Sequence, residues 1–174
     1  MNHFELFALP VQFDIDTAQL KQTFLQLQQQ YHPDKAEDKD EALIKSSEIN
    51  QAYQTLHHVD SRAGYLLHLK QQDQQLEQSI HDFEFLDSAL EIREQLDEAK
   101  NSEQLQSLRT EVLQWLHGLS NEFKIDYAEQ AWDEARDTVR KLRFFQKVLA
   151  DIDVAEDRLL DDDLDSSFDD DFDD

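Results

Sequence analysis

The sequence predicts an all-α protein, and three observations carry that expectation. Its 174 residues include only two glycines and two prolines, the residues that turns use most and helix interiors tolerate least. Apolar residues recur at steps of three and four along most of the chain, the spacing that lines one face of a helix. Polar residues with helix-capping spacing, Asp16 with Gln19 and Asn101 with Gln104, precede two of the periodic runs.

The elements follow in order. Residues 4–9 suit a short apolar helix ending before Pro10. A second helix is expected from about Asp16, with Leu20, Phe24, Leu27 and Tyr31 on its apolar face and glutamines around the rest. Pro33 stops it, because proline lacks the amide donor and turns the preceding His32 away from helical angles. Residues 34–40 read as a charged loop, followed by a third helix over roughly 41–57 with Ala42, Ile49, Ala52, Tyr53 and Leu56 on its buried stripe. The two helices are expected to pair as an antiparallel hairpin. Another helical piece begins near 62–69, and the polar run 71–78 is a linker or an exposed helix end. Three amphipathic helices at about 83–99, 102–122 and 127–150 predict a small antiparallel bundle. After Leu160 the chain is too acidic and too poor in apolar residues to offset chain entropy, so disorder is expected.

Composition excludes several functions. The net charge of −24 opposes nucleic-acid binding through phosphate neutralisation. Half of it falls in residues 151–174, where thirteen acidic side chains face Arg158 alone. Without cysteine there is no disulfide, thiolate metal site or cysteine nucleophile, in keeping with a reducing cytoplasm. No signal peptide or membrane span is expected, so the protein should be soluble and cytoplasmic. The seven histidines form no metal-site spacing; His57 and His58, as helical neighbours, would point roughly 100° apart. Neither a metal nor another cofactor is expected.

The informative constellation is Tyr31-His32-Pro33-Asp34-Lys35 at the tip between the second and third helices, followed by Ile49-Asn50-Gln51-Ala52-Tyr53-Gln54-Thr55-Leu56. In order, spacing and helix placement it resembles the J domain, over residues 1 to about 70. The resemblance implies binding to a DnaK-type ATPase chaperone and stimulation of ATP hydrolysis there. His32, Pro33, Asp34 and Lys35 would form the contact loop, with Lys21 on the second helix. The residue chemistry is compatible. Proline stiffens the loop, Asp34 offers a carboxylate to a forked arginine, and His32 fixes the loop by packing and hydrogen bonding. J domains usually carry several basic residues on the second helix. Here Lys21 stands alone there, so electrostatic steering should be weak.

Three further segments resemble the HscB family of J proteins. They are Arg62-Ala63-Gly64-Tyr65-Leu66-Leu67, the stretch Phe85 to Glu98, and Asp137-Thr138-Val139-Arg140-Lys141-Leu142-Arg143-Phe144. The resemblance implies an adaptor, not an enzyme, that binds the iron–sulfur scaffold IscU and delivers it to the chaperone HscA. It divides the chain into a J domain (1–72), a junction (73–82), a scaffold-binding bundle (83–150) and an acidic tail (151–174). The implied scaffold patch is Leu86, Asp87, Leu90, Glu91, Arg93, Glu94 and Phe144. Asp87 stands where better-known members have an apolar residue, so the patch is altered here. Helical spacing puts Leu86, Leu90 and Arg93 on one face, a pattern that core residues show as readily as interface ones.

Two other features stay open at this level. Arg136, Arg140, Lys141, Arg143 and Lys147 are basic residues on the last helix, and the acidic tail reads either as a solubilising extension or as a segment that folds back onto them. Competing functions are a general J-domain adaptor for unfolded chains, a metal-dependent hydrolase and an acidic decoy of nucleic acid.

Overall fold

The computed structural model describes residues 1–169, which form helices and no strand. In order these are α1 (His3–Leu6), α2 (Thr17–Gln30), α3 (Lys39–His57), α4 (Val59–Leu69), α5 (Phe83–Glu98), α6 (Ser102–Ala128) and α7 (Trp132–Asp169), with a 3-10 turn at Pro33–Lys35.

α1 opens on a reciprocal cap between Asn2 and Glu5 and buries Phe4, with Phe7 just beyond it. It stops short of the expected residue 9 because Ala8 turns left-handed, with φ of 54°. That turn lets the Leu9 N–H donate to the Phe4 carbonyl at 2.9 Å and the Ala8 N–H to the Glu5 carbonyl at 3.0 Å. α4 and α6 close the same way. Gln71 and Gln130 take φ of 57° and 58°, and the N–H groups of Gln72 and Ala131 donate to the Leu67 and Asp126 carbonyls. This Schellman closure normally relies on glycine. Here Ala8, Gln71 and Gln130 supply it, so three helix ends carry no glycine signal.

α2 and α3 form the expected hairpin. Asp16 accepts from the N–H groups of Ala18 and Gln19, and Asp38 caps α3 two residues ahead of its expected start. Phe24 stacks on Tyr53 at 4.0 Å, and the Ser46 hydroxyl donates to the Gln28 side chain at 2.9 Å. α4 lies against both α3 and α7, and Ala63, Leu66 and Leu67 are fully buried. Its Arg62 is also buried, donates to the Leu56 carbonyl at 2.9 Å, and rests over the Phe13 ring. Phe13 in turn packs on Phe123 of α6, and Asp14 pairs with Lys124. The two halves therefore share one continuous core.

α6 runs antiparallel to α7, as Arg109–Glu156 and Asp126–Thr138 show. α5 runs parallel to α7, pairing Asp82 with Lys141 near its start and Arg93 with Asp151 near its end. Along α7, Ala135, Val139, Leu142, Phe145, Val148 and Ile152 are fully buried at steps of three and four. Ile152 carries that stripe past the expected bundle end at residue 150.

One expectation is corrected, and one open reading is narrowed. Residues 161–169 are helical, not disordered, while 170–174 lie outside the described residues. The composition argument concerned a free segment, whereas this one extends a packed helix, and propagation avoids the cost of nucleation. The Ser166 and Ser167 hydroxyls donate to the Asp163 and Leu164 carbonyls within it. The basic residues of α7 do not wait for the described part of the tail either. Arg136 donates to the Gln72 carbonyl and side chain, Arg140 to the Gln75 carbonyl, and Arg143 to the Leu76 carbonyl and the Glu77 carboxylate. They grip the junction between α4 and α5.

A left-handed residue with a side chain costs roughly 1–2 kcal/mol that glycine avoids, offset in part by glycine's freer unfolded chain. Gln130→Gly should therefore stabilise the protein by about 0.5–1 kcal/mol, raising the melting temperature by roughly 1–4 °C in a thermal denaturation scan.

Candidate functional site

Two separate surfaces hold the residues singled out in the sequence. The first is the loop closing the α2–α3 hairpin. α2 ends at Tyr31, whose N–H still bonds the Leu27 carbonyl, and Pro33 prevents another turn. The chain then makes a single 3-10 turn, closed by the Lys35 N–H donating to the His32 carbonyl at 3.0 Å. His32 caps that turn with its ring, since Nδ1 accepts the Asp34 N–H at 3.2 Å. The same nitrogen lies 3.5 Å from the Asp34 carboxylate. The cap therefore uses the lone pair of Nδ1 as its acceptor. Asp34 itself is 86% exposed, and no lysine or arginine among the described residues lies within ion-pairing distance of it. Below the loop, Lys45 of α3 sits 5.8 Å over the Tyr31 ring and ties the loop's base to the hairpin.

Lys35 is exposed beside Asp34. Lys21 is exposed too, but three turns back along α2, about 16 Å from His32 by helix rise. It belongs to a cationic cluster at the hairpin's other end. There, partial burial and then the charges of His58, Arg62 and Lys21 lower the pKa of His57. His57 and His58 straddle the break between α3 and α4, so their rings approach edge to face at 4.7 Å, closer than helical neighbours would. Among the described residues no group of three potential ligands is arranged to hold a metal ion.

The second surface is the outward face of α5. Its core stripe is Phe85, Ala89 and Ile92, with Leu96 half-buried. Leu86 and Leu90 lie off that stripe, 38% and 61% exposed, so they are not core residues. Asp87, Glu91 and Glu94 are exposed around them. Phe144 of α7 stands alongside, edge-on to Phe85 at 6.0 Å, and the Arg93 guanidinium lies 5.7 Å over its ring. Arg93 also binds Asp151 at 2.6 Å, so its charge is neutralised within the chain. The α5 start is fixed by Asp82, which accepts from the Phe85 N–H and from Lys141 at 2.8 Å. Those hydrogen bonds, led by the one from Lys141, hold the Asp82 carboxyl below its ordinary pKa. Burial pulls Lys141 down, yet its bonds to Asp82 and Asp137 outweigh this and raise its pKa. The sequence patch omits two exposed residues of the first turn, Glu84 and Phe83, the latter 81% exposed. The signal for Phe83 was available, because 83, 86 and 90 recur at steps of three and four.

A helical hairpin carrying a histidine-capped acidic loop, joined to a separate helical bundle, defines a J protein. The amino-terminal part matches the family model of the DnaJ domain over residues 3–65, and residues 81–153 match the HSCB C-terminal oligomerisation domain. The co-chaperone protein HscB homolog of Acinetobacter baumannii (strain SDF) is 72% identical over 172 residues, 99% of this chain and 100% of the relative. Its counterpart in Acinetobacter baylyi is 69% identical over 97% of this chain and 100% of the relative. Among solved structures, the chaperone HscB from Vibrio cholerae superposes with a TM-score of 0.72 at 34% identity, covering 91% of this chain and 99% of that one. The human co-chaperone protein HscB gives 0.73 at 26% identity, over 89% and 84%. The chain belongs to the HscB family, which is a family of co-chaperones and not of enzymes.

Asp82→Asn keeps a capping acceptor but removes the charge that Lys141 binds. A carboxylate with a depressed folded pKa stabilises fully above its unfolded value, here 3.8, and loses that contribution as pH falls through its lower folded value. The melting-temperature gap between wild type and Asp82→Asn should therefore be largest near neutrality and close below pH 3.8.

Proposed function

We propose that the chain joins a folded iron–sulfur scaffold protein of the IscU type to a DnaK-type chaperone of the HscA type and stimulates the chaperone's ATPase. In this reading residues 1–72 face the chaperone, 73–82 form the junction, and the bundle from 83 onward carries the scaffold. The adaptor works in the cytoplasm and needs no cofactor of its own.

The observation that carries the reading is the exposed carboxylate of Asp34, displayed on a stiff turn with no lysine or arginine among the described residues within ion-pairing distance. An unpaired acid held in place suits a guanidinium from outside, because the order its partner requires is already present. His32 and Pro33 supply that order from within the turn. Catalysis of ATP hydrolysis stays with the chaperone. The adaptor contributes by binding the hydrolysis-ready conformation more tightly than the resting one, and this differential affinity shifts the population. The exposed α5 face supports the cargo half of the reading. It presents Leu86 and Leu90 to solvent at a place where folding makes no use of them.

The experiment is steady-state ATP turnover by the cognate chaperone with the intact adaptor. Asp34→Asn should abolish stimulation while its melting temperature stays at the wild-type value, since an exposed loop carboxylate contributes little to stability. Undiminished stimulation by this variant would sink the proposal. For the cargo half, a Leu90→Ala/Phe144→Ala double variant should lose at least tenfold in affinity for IscU by titration calorimetry.

A further inference from the structure

Phe83 is the most exposed aromatic side chain of the bundle's α5 face, and nothing inside the protein accounts for it. It occupies the first position of α5, after the Asp82 cap, and 81% of it faces water. By helical rotation it aligns with Leu90 seven residues on, and Leu86 lies between them, so the three form one apolar strip. The backbone that carries Phe83 is also held in place. Asp82 is fixed by the Phe85 N–H and by Lys141, which is itself anchored by Asp137 at 3.1 Å. An aromatic ring on a pinned backbone loses little freedom when it enters a hollow, which is what makes such rings effective interface anchors.

The surroundings of the strip define its partner. Going round α5 from the strip, away from Arg93 and α7, the exposed residues are Asp87, Glu91 and Glu84, with Glu94 one turn beyond Leu90. No lysine, arginine or histidine among the described residues lies within 4.0 Å of any of these four carboxylates, and the one arginine of the patch is already bound to Asp151. The face is therefore an apolar strip along one side and a row of uncompensated acids along the other. Asp87 removes apolar area from the middle of the face, and Phe83 adds it one turn upstream.

We infer that the docking face of this bundle reaches the first turn of α5, with Phe83 as its aromatic anchor, and fits a protein surface offering an apolar hollow rimmed on one side by lysine or arginine. The inference rests on the cargo reading above and assigns that hollow and its cationic rim to the scaffold. Phe83 enters the hollow, Leu86 and Leu90 cover its floor, and the acids at 84, 87, 91 and 94 meet the rim. Two consequences follow from the chemistry. Affinity depends on the bulk of residue 83, and it falls with ionic strength because the rim contacts are between exposed charges.

The test is titration of the full-length chain with cognate IscU at low and high salt. Phe83→Ala should weaken binding at least tenfold and Phe83→Trp or Phe83→Leu by less than threefold. Glu84→Gln/Asp87→Asn should flatten the salt dependence measured with wild type. Melting temperatures of all variants are measured alongside, and those of the exposed sites should match wild type. If Leu90→Ala/Phe144→Ala loses binding while Phe83→Ala stays within twofold, the anchor role of Phe83 is overturned and the cargo reading survives. An unchanged salt dependence in the Glu84/Asp87 variant overturns the cationic rim. If wild type does not bind IscU, or the Leu90/Phe144 variant binds as tightly as wild type, the cargo reading itself fails, and this inference falls with it.

Discussion

The grip of α7 on the junction is the interaction on which the rest of the molecule depends. Three arginines, at 136, 140 and 143, donate to the carbonyls of Gln72, Gln75 and Leu76, and Lys141 holds Asp82. A polar connecting segment has backbone acceptors that no helix satisfies, and charge-assisted donors meet that need while fixing the segment's path. The apolar counterpart lies beneath it, where Leu76 is buried and α4 packs on α7. The junction thus acts as part of the bundle's surface, not as a tether.

This arrangement ties the two halves of the chain into one body. α4 belongs to both halves, since its fully buried Ala63, Leu66 and Leu67 lie in a core shared with α3 and α7. Phe13 against Phe123 and Asp14 against Lys124 add a second bridge from the loop before α2 to α6. The acidic loop and the outward face of α5 are consequently held at a defined separation and orientation. Such rigidity spares a second binding event the cost of ordering a loose chain.

Charge is distributed to the same end. Most strong cations of the carboxy-terminal half are spent internally: Arg93 on Asp151, Arg109 on Asp153 and Glu156, and the α7 set on the junction. Asp34 and the acids along the outward face of α5 have no lysine or arginine partner among the described residues. Exposed acids of this kind favour ligands that bring arginine or lysine. The continuing α7 helix carries the acids of 161–165 beyond the packed stripe, where solvent screens them.

Much of the architecture was legible in the sequence. The periodic stripes of α2, α3, α6 and α7, the break at Pro33 and the caps at Asp16 and Asn101 are local signals, because a helix's face and its ends are decided by residues a few positions apart. The His32-Pro33-Asp34 turn was readable for the same reason. Tertiary structure alone decided the rest. Whether Leu86 and Leu90 face a core or water depends on which side of α5 its neighbours occupy, and spacing is identical for both answers. Three helix ends escaped because alanine and glutamine adopt a backbone geometry whose usual marker is glycine. The basic residues of α7 and the acids after residue 160 looked complementary in composition. Packing gave the arginines nearer partners in the junction and let the helix run on through Asp169, since a charge pairs with what the fold brings within a few ångströms and not with what lies next in the chain.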